Sequence, residues 1–477
     1  MGHRKESGRA GPPPLDLSED EVVELADELV RFHGEFAELF FRPEQEHWAL
    51  LYWRGLVQPE LRKSVERLAL GLEGGNVRAM QRFIGKGAWD DGAILARNRE
   101  LVAESLGQTD GVLIVDGSDF PKKGPYSVGV AWQYCGATGK IDNCQAGVFL
   151  GYASRRGHTL LDARLYLPDE WFEPSSRVRW ERCGIPEGTS FRTKPQLAWE
   201  MIEAVHESGV LPFAWVTCDD AFGMNPGFLG HLEASGIQYL ADVPVSTLVW
   251  TERPETELVP SKGRNASPKR RLVPGAPSPQ RVDELAAGLP KNAWRKRQVK
   301  AGEKGLIEAR FAFVRAVAVR DQLPGPDVWV VFRRSLSDPA EMKIFLSNAP
   351  PDVRRSELVR ISGMRWPIET CFEEAKGNLG MAEYQTRSWR GWHHHMTLVI
   401  LAHHFLVRLK LKHKRGHRPS PSHRPAFCSK ASCLDEPLRP PRPSNESATS
   451  STATTRPRSP TTDVRQGVET VQDEVSL

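Results

Sequence analysis

The chain has 477 residues, and 64 Lys+Arg against 60 Asp+Glu give a formal net charge of +4. Hydrophobic residues at 40% and charged residues at 26% make a globular composition, and at about 150 residues per domain the length predicts two to three domains. Three classes are excluded: no apolar run nears the roughly 18 residues of a membrane span, the N-terminal MGHRKESGRAGPPP has no apolar core for a secretory signal, and the seven cysteines include no Cys-x-x-Cys pair for a zinc knuckle or disulfide framework.

Residues 1–19 are polar and rich in Pro and Gly, and are expected to be disordered. Ser18-Glu-Asp-Glu21 has the capping-box pattern and opens a helical domain over 20–107. There Val22, Leu25, Ala26 and Leu29, then Leu61, Val65, Leu68 and Leu72, recur at helical spacing. At Gly111 the texture changes. Gly-Val-Leu-Ile-Val-Asp116 is a continuous apolar run ending in an acid, the pattern of a strand buried on both faces. Further strands are expected over 127–135, 144–152 and 160–167. Pro195 opens a helix that Gly209 closes. Phe213-Ala-Trp-Val-Thr-Cys-Asp219 repeats the pattern of apolar strand and acid. A short helix over 226–234 and a strand over 237–243 complete a block spanning 108–244.

Residues 245–345 read as a β-rich insertion, with strands over 307–319 and 328–333. It carries two basic clusters, Lys262, Arg264, Lys269, Arg270 and Arg271, then Lys291, Arg295, Lys296, Arg297 and Lys300. Residues 346–412 return to helix: 354–380, interrupted near 363–367, and an apolar-striped helix over 392–412. Residues 413–477, rich in Pro, Ser, Thr and Arg, cannot offset their own ordering entropy and are expected to be disordered. Their composition suits a shifted or substituted reading frame.

Asp116 and Asp219 each end an apolar strand. Ligands of α/β sheets collect at the carboxyl ends of strands. Two carboxylates on neighbouring strands repel each other, and a divalent cation relieves the repulsion. Mg²⁺ takes a few carboxylates together with water and phosphate oxygens, and paired ions suit phosphoryl transfer. An Asp at a strand end also commonly caps the next helix or turn, so both roles stay open. The third feature is Arg365-Trp-Pro-Ile-Glu369-Thr-Cys-Phe-Glu-Glu-Ala-Lys376. Pro367 suits a helix's first turn, and Ile368, Phe372, Ala375 and Leu379 form its inward stripe. Glu369, Glu373 and Lys376 run alongside on one face. Glu369 is expected to lean over the sheet edge towards the aspartates, with Arg365 and Lys376 placed to bind phosphate. An exposed charge ladder is the alternative.

These residues resemble the signatures of DDE-type insertion-sequence transposases, the group with a Tyr-x2-Arg-x3-Glu-x6-Lys motif around its catalytic glutamate. Asp116 in VDGSDFPKKG, Asp219 in VTCDDAFG and Glu369 in RWPIETCFEEAK match in order. GMAEYQTRSWRGW over 380–392 and the following helix match the end of that family's catalytic domain. The similarity spans roughly residues 20–412. It implies an α/β, RNase H-like fold: a mixed sheet flanked by helices, with an N-terminal all-helical domain and a β-rich insertion. It also implies a transposase that cuts DNA and joins strands, with Asp116, Asp219 and Glu369 holding two Mg²⁺ ions and Mn²⁺ as a substitute. The implied partner is double-stranded DNA, both terminal inverted repeats and target. The 20–107 domain would bind the ends, and a homodimer would act in the bacterial cytoplasm at the nucleoid. Ser362 stands at the motif's Tyr position. Asp220 competes with Asp219, and Asp119 with Asp116; the aromatic-Gly pair Phe222-Gly223 and the end of the apolar run favour Asp219 and Asp116.

Lys122 and Lys123 follow Asp116 and are candidates for the DNA backbone, against a solvated turn. The basic clusters suit salt-dependent phosphate binding, and Trp294 or Trp250 could stack a flipped base if not simply packed in the insertion. His393, His394, His395, His403 and His404 lack zinc spacing and are expected on a solvated, partly basic helix surface. Another RNase H-like nuclease, a non-catalytic DNA-binding derivative and a carboxylate-pair glycosidase are the competing functions. The basic clusters weigh against the last.

Overall fold

The computed structural model describes residues 19–58, 61–260, 267–302, 305–338 and 340–416. Most of the expected N-terminal and C-terminal disordered segments, together with Lys262 and Arg264, lie outside the described residues. Five helices come first: α1 (Glu19–Gly34), α2 (Pro43–Val57), α3 (Val65–Gly71), α4 (Val77–Lys86) and α5 (Asp91–Leu106). Asn76 and Asp90 cap the last two, accepting the N–H of Ala79 at 3.0 Å and of Ala93 at 3.1 Å.

The next block holds β1 (Val112–Pro121), β2 (Ala131–Cys135), β3 (Lys140–Ala153), β4 (His158–Tyr166), α6 (Arg177–Cys183), α7 (Lys194–Ser208), β5 (Trp215–Cys218), α8 (Asp220–Gly223), α9 (Pro226–Ala234) and β6 (Gln238–Val243). Helix α7 starts and stops where its residues require. Thr193 and Gln196 form a reciprocal capping box, Pro195 sits in the first turn, and Gly209 takes the left-handed conformation (φ 61°) at the end.

The expected insertion holds β7 (Leu248–Trp250), β8 (Thr256–Val259), β9 (Lys269–Leu272), β10 (Gln280–Arg281), α10 (Val282–Ala287), β11 (Arg295–Gly302), β12 (Gly305–Arg320), β13 (Leu323–Arg334) and β14 (Met342–Ser347). Helices α11 (Arg355–Ile361), α12 (Trp366–Asn378) and α13 (Trp389–Gly416) follow. Apart from the small β8–β9 hairpin, these strands form one mixed sheet, ordered β10-β7-β12-β13-β14-β6-β5-β1-β3-β2, with β11 also on β12 and β4 also on β3. The β1–β5 and β5–β6 ladders are parallel; β14 joins β6 antiparallel and so carries the sheet on into the 245–345 region.

The apolar runs are strands with a core on each face. On β1, Val112 and Ile114 enter one hydrophobic cluster while Leu113 and Val115 enter the other, as the two-residue side-chain alternation of a strand demands. The first cluster is shared with α1–α5, α12 and α13, the second with α7, α9 and α10. Helix α13 packs against α2, α4, α5, α12 and β4. This overturns one expectation: His393, His394, His395, His403 and His404 are buried, not solvated. The apolar stripe of the sequence marks only one contact face of α13, but the helix is covered on several sides. The rings meet polar partners instead of water. Tyr52 Oη lies 2.8 Å from His395 Nδ1, Asn98 Oδ1 lies 2.8 Å from His404 Nδ1, and Thr159 Oγ1 lies 3.1 Å from His403 Nδ1. His394 stacks on Trp89 at 3.6 Å. Among the described residues, no helix is long and apolar enough to cross a membrane.

Candidate active site

Three strands deliver three aspartates to one place. In the parallel ladders Val115 pairs with Cys218, and Cys218 with Ala241. The next residues along the chain are Asp116 and Asp242, within their strands, and Asp219, just past the end of β5. Neighbouring strands lie about 4.8 Å apart, so the three carboxylates form a row across the sheet. Alternation sets their face. Val112 and Ile114, Trp215, and Leu240 lie two or four residues earlier and all enter the cluster shared with α12. Asp116, Asp219 and Asp242 therefore project towards α12.

Asp116 does not end its strand, as the sequence suggested. Strand β1 continues to Pro121 against β3; what ends at Val115 is the pairing with β5. The ladder stops there because Asp219 turns the chain into α8, its Oδ1 accepting the N–H of Ala221 at 3.1 Å and of Phe222 at 3.4 Å. Asp219 is thus a helix cap that also faces the carboxylate row. Gly223 ends this turn against β6, where a Cβ would collide with the backbone carbonyl of Asp242. Asp220 is exposed. Asp119 accepts the N–H of Gly136 at 2.7 Å and so braces the β2–β3 turn.

Helix α12 supplies the opposing residues. Ile368 sits against Gly151 of β3, and Phe372 meets Phe149 edge-on at 5.3 Å. This seating leaves Arg365 and Glu369 over the aspartate row. Arg365 donates to Asp116 at 3.0 Å, forms an ion pair with Glu369 at 2.7 Å, and its Nε lies 3.8 Å from Asp242. The side chains of Asp116 and Asp242 are 13% and 16% exposed, that of Glu369 38%, so the site opens on the Glu369 side. Burial, reinforced by the charge of Asp219, pushes the Asp116 carboxyl up to about 7 against the opposing pull of Arg365. Burial likewise raises Asp242 to about 6, opposed by Lys343 and Arg365, and it raises Asp219. Burial thus disfavours full ionisation of the row, and Arg365, with Lys343 3.9 Å from Asp242, offsets its charge only in part.

Asp242 went unrecognised in the sequence, although its signal is the same: Tyr-Leu-Ala-Asp is an apolar strand ending in an acid. Val243 prolongs the run and hides the stop. Oδ1 of Asp242 is buried with no hydrogen-bond partner among the described residues.

The remaining candidates fall around this centre or apart from it. Lys376 lies 5.8 Å from the Phe120 ring and 5.7 Å from Phe372, and burial lowers its pKa. Lys122 packs 3.5 Å over the Tyr384 ring, where burial brings it down to about 8, while Lys123 is exposed. Ser362 caps α11, donating to Val359 O at 2.7 Å. Trp250 is buried and donates to Pro277 O at 2.9 Å. Trp294 is half-buried with the Arg334 guanidinium 4.0 Å from its ring centre. In the basic clusters, Arg271 pairs with Glu257 at 2.9 Å and Lys296 with Glu308 at 2.7 Å.

The donor set suits a hard divalent cation in kind: carboxylate oxygens, buried, in charge excess, one of them orphaned. Among the described residues no three such side chains converge on one point at ligating distance; Asp116 and Glu369 both pair with Arg365 instead.

The comparisons with known proteins bear on this arrangement. A family model described as DDE superfamily endonuclease matches residues 35–306, a span that includes Asp116 and Asp219 and stops short of Glu369. A protein of Microchaete diplosiphon named "Probable transposase for insertion sequence element IS701" is 22% identical over 338 residues, which cover 69% of this chain and 74% of that protein.

Proposed function

The chain belongs to the DDE superfamily endonucleases, and from that premise we propose that it is a transposase that cleaves DNA at the ends of an insertion sequence and transfers the freed strand, with Asp116, Asp219 and Glu369 as its catalytic carboxylates. The observation that carries the reading is the meeting of Arg365 with Asp116 and Glu369, at 3.0 and 2.7 Å, beside the in-register Asp219. Chain separation argues against chance: Arg365 and Asp116 lie 249 residues apart. The strand order around β1, with β3 on one side and the parallel β5 and β6 on the other, supports an RNase H-like core.

Asp116, Asp219 and Glu369 would hold the divalent ions, and Asp242 extends the same row. Bound there, Mg²⁺ or Mn²⁺ supplies the charge that acidifies an attacking water and steadies the departing oxygen. The protein's own part is positioning and charge. The buried carboxylates concentrate negative potential where cations must gather. Arg365, which pairs with Asp116 and Glu369, offers its planar fork to a phosphate once those carboxylates are engaged elsewhere. Lys376 and Lys122 line the approach with further positive charge. The partner is duplex DNA, bound as terminal repeats and as target, by a homodimer.

Glu369→Gln keeps size and hydrogen bonding but removes the charge. It is expected to abolish Mg²⁺- or Mn²⁺-dependent nicking of a plasmid carrying the element's ends while leaving end binding intact in a gel-shift assay. Wild-type rates of nicking in that variant would reject the assignment. Cleavage without joining by the wild type would make the protein a nuclease rather than a transposase.

A further inference from the structure

A second charged feature lies away from the acids. Helix α4 carries Arg78, Arg82 and Lys86 at i, i+4 and i+8, one exposed stripe. The stripe forms one wall of an open cleft of about 740 Å³ whose other walls carry Arg182, Arg387 and the exposed ring of Tyr126. No carboxylate lines this cleft. Among the described residues, none of its five cations forms an ion pair, in contrast to Arg271 and Lys296 in the insertion. Like charges held together without counter-charge raise the energy of the free protein, and an anionic partner lowers it.

The walls are fixed relative to one another. Val128 N donates to Arg387 O at 2.9 Å, Arg390 donates to Lys86 O at 3.2 Å, and Ser388 donates to Gly85 O at 3.4 Å. The chain itself links the cleft to the carboxylate site. From Asp116, β1 runs straight to Pro121, about 17 Å on. Lys122 and Lys123 follow, then Tyr126 at the cleft, while Lys122 touches Tyr384 just before Arg387.

We propose that this cleft is a docking surface for the phosphate backbone of duplex DNA, gripping the same molecule that the acidic site cuts. The proposal rests on the transposase reading for its partner and deepens it by naming the surface. The α4 stripe spans about 12 Å, the axial length of three to four nucleotides at about 3.4 Å each. Contacts of this kind go to phosphate, so they hold the duplex in register without reading its sequence.

The test uses the full chain in EDTA, so that binding is measured apart from cleavage. Fluorescence anisotropy follows a labelled duplex of about three helical turns across a salt titration. Arg78→Ala/Arg82→Ala/Lys86→Ala should bind at least tenfold more weakly, and its log–log salt slope should be shallower by about 2–3, at roughly 0.9 per lost phosphate contact. Arg182→Ala/Arg387→Ala, on other elements, should do the same by about 2; agreement between the two variants separates lost contacts from damage to α4. Unchanged affinity and slope in both variants would overturn the proposal. Tighter binding of a structured RNA of equal length than of the duplex, lost through the same substitutions, would overturn the choice of DNA. If the wild type fails to nick DNA in Mg²⁺ yet the variants lose duplex binding, the docking surface stands and the catalytic reading falls.

Discussion

Arg365 is the side chain on which the candidate site turns. It offsets Asp116, Asp242 and Glu369 together, while burial holds Asp116 and Asp242 well above the ordinary carboxylate range. Removing one partner of a buried charge cluster leaves the others uncompensated, so Arg365→Ala should cost on the order of 3 kcal/mol. Adding Asp116→Asn should restore part of that loss, because the two side chains are in contact and their effects do not add. Urea denaturation of the two variants checks this; a single variant as stable as the wild type would mean the cluster is solvated enough to need no counter-charge. At this scale the sequence was informative where chemistry is local. An apolar run closed by an acid marks Asp116 and Asp219. The same signal failed at Asp242 only because Val243 extends the run by one apolar residue. The hold of Arg365 on Asp116 had no local signal, since the residues meet only through the register of β1, β5 and β6 and the seating of α12.

Helix α13 shows how far an element can be read from its own residues. The apolar stripe marked a helix, and a helix is there, from Trp389 to Gly416. Its histidines were misread because a single helix does not declare how many neighbours will cover it. Burial lowers His393 to about 4, and His394, His395 and His404 to about 3. In the unfolded chain each imidazole takes its proton near pH 6.5. Between those values the unfolded state holds more protons than the folded one, so stability falls as the pH drops below 6.5. The urea midpoint should therefore decline steadily from pH 7 to pH 5. A flat profile over that window would show that the rings are protonated in place or reached by water.

The molecule as a whole is less divisible than its composition suggests. The helices α1–α5 share one hydrophobic cluster with α12 and α13, and β14 zips the 245–345 strands onto β6. Texture along the chain revealed the helical and β-rich stretches; it did not reveal these joins, because pairing between distant segments leaves no local period. A chain beginning at residue 108 would expose the face of α13 that packs on α2, α4 and α5. It is expected to lose cooperative thermal unfolding and near-ultraviolet circular dichroism. A sharp transition in that truncated chain would show that residues 108–416 close a core by themselves.

The same long-range meeting has a consequence in time. Asp116 leaves the ribosome 249 residues ahead of Arg365, roughly 12–50 s earlier at ordinary rates of synthesis. During that interval the aspartate row has neither its guanidinium nor its glutamate. Under the proposed function, a nascent chain stopped anywhere before α12 is harmless to the gene still being translated, and competence to cut arrives only with the last eighth or so of the described span.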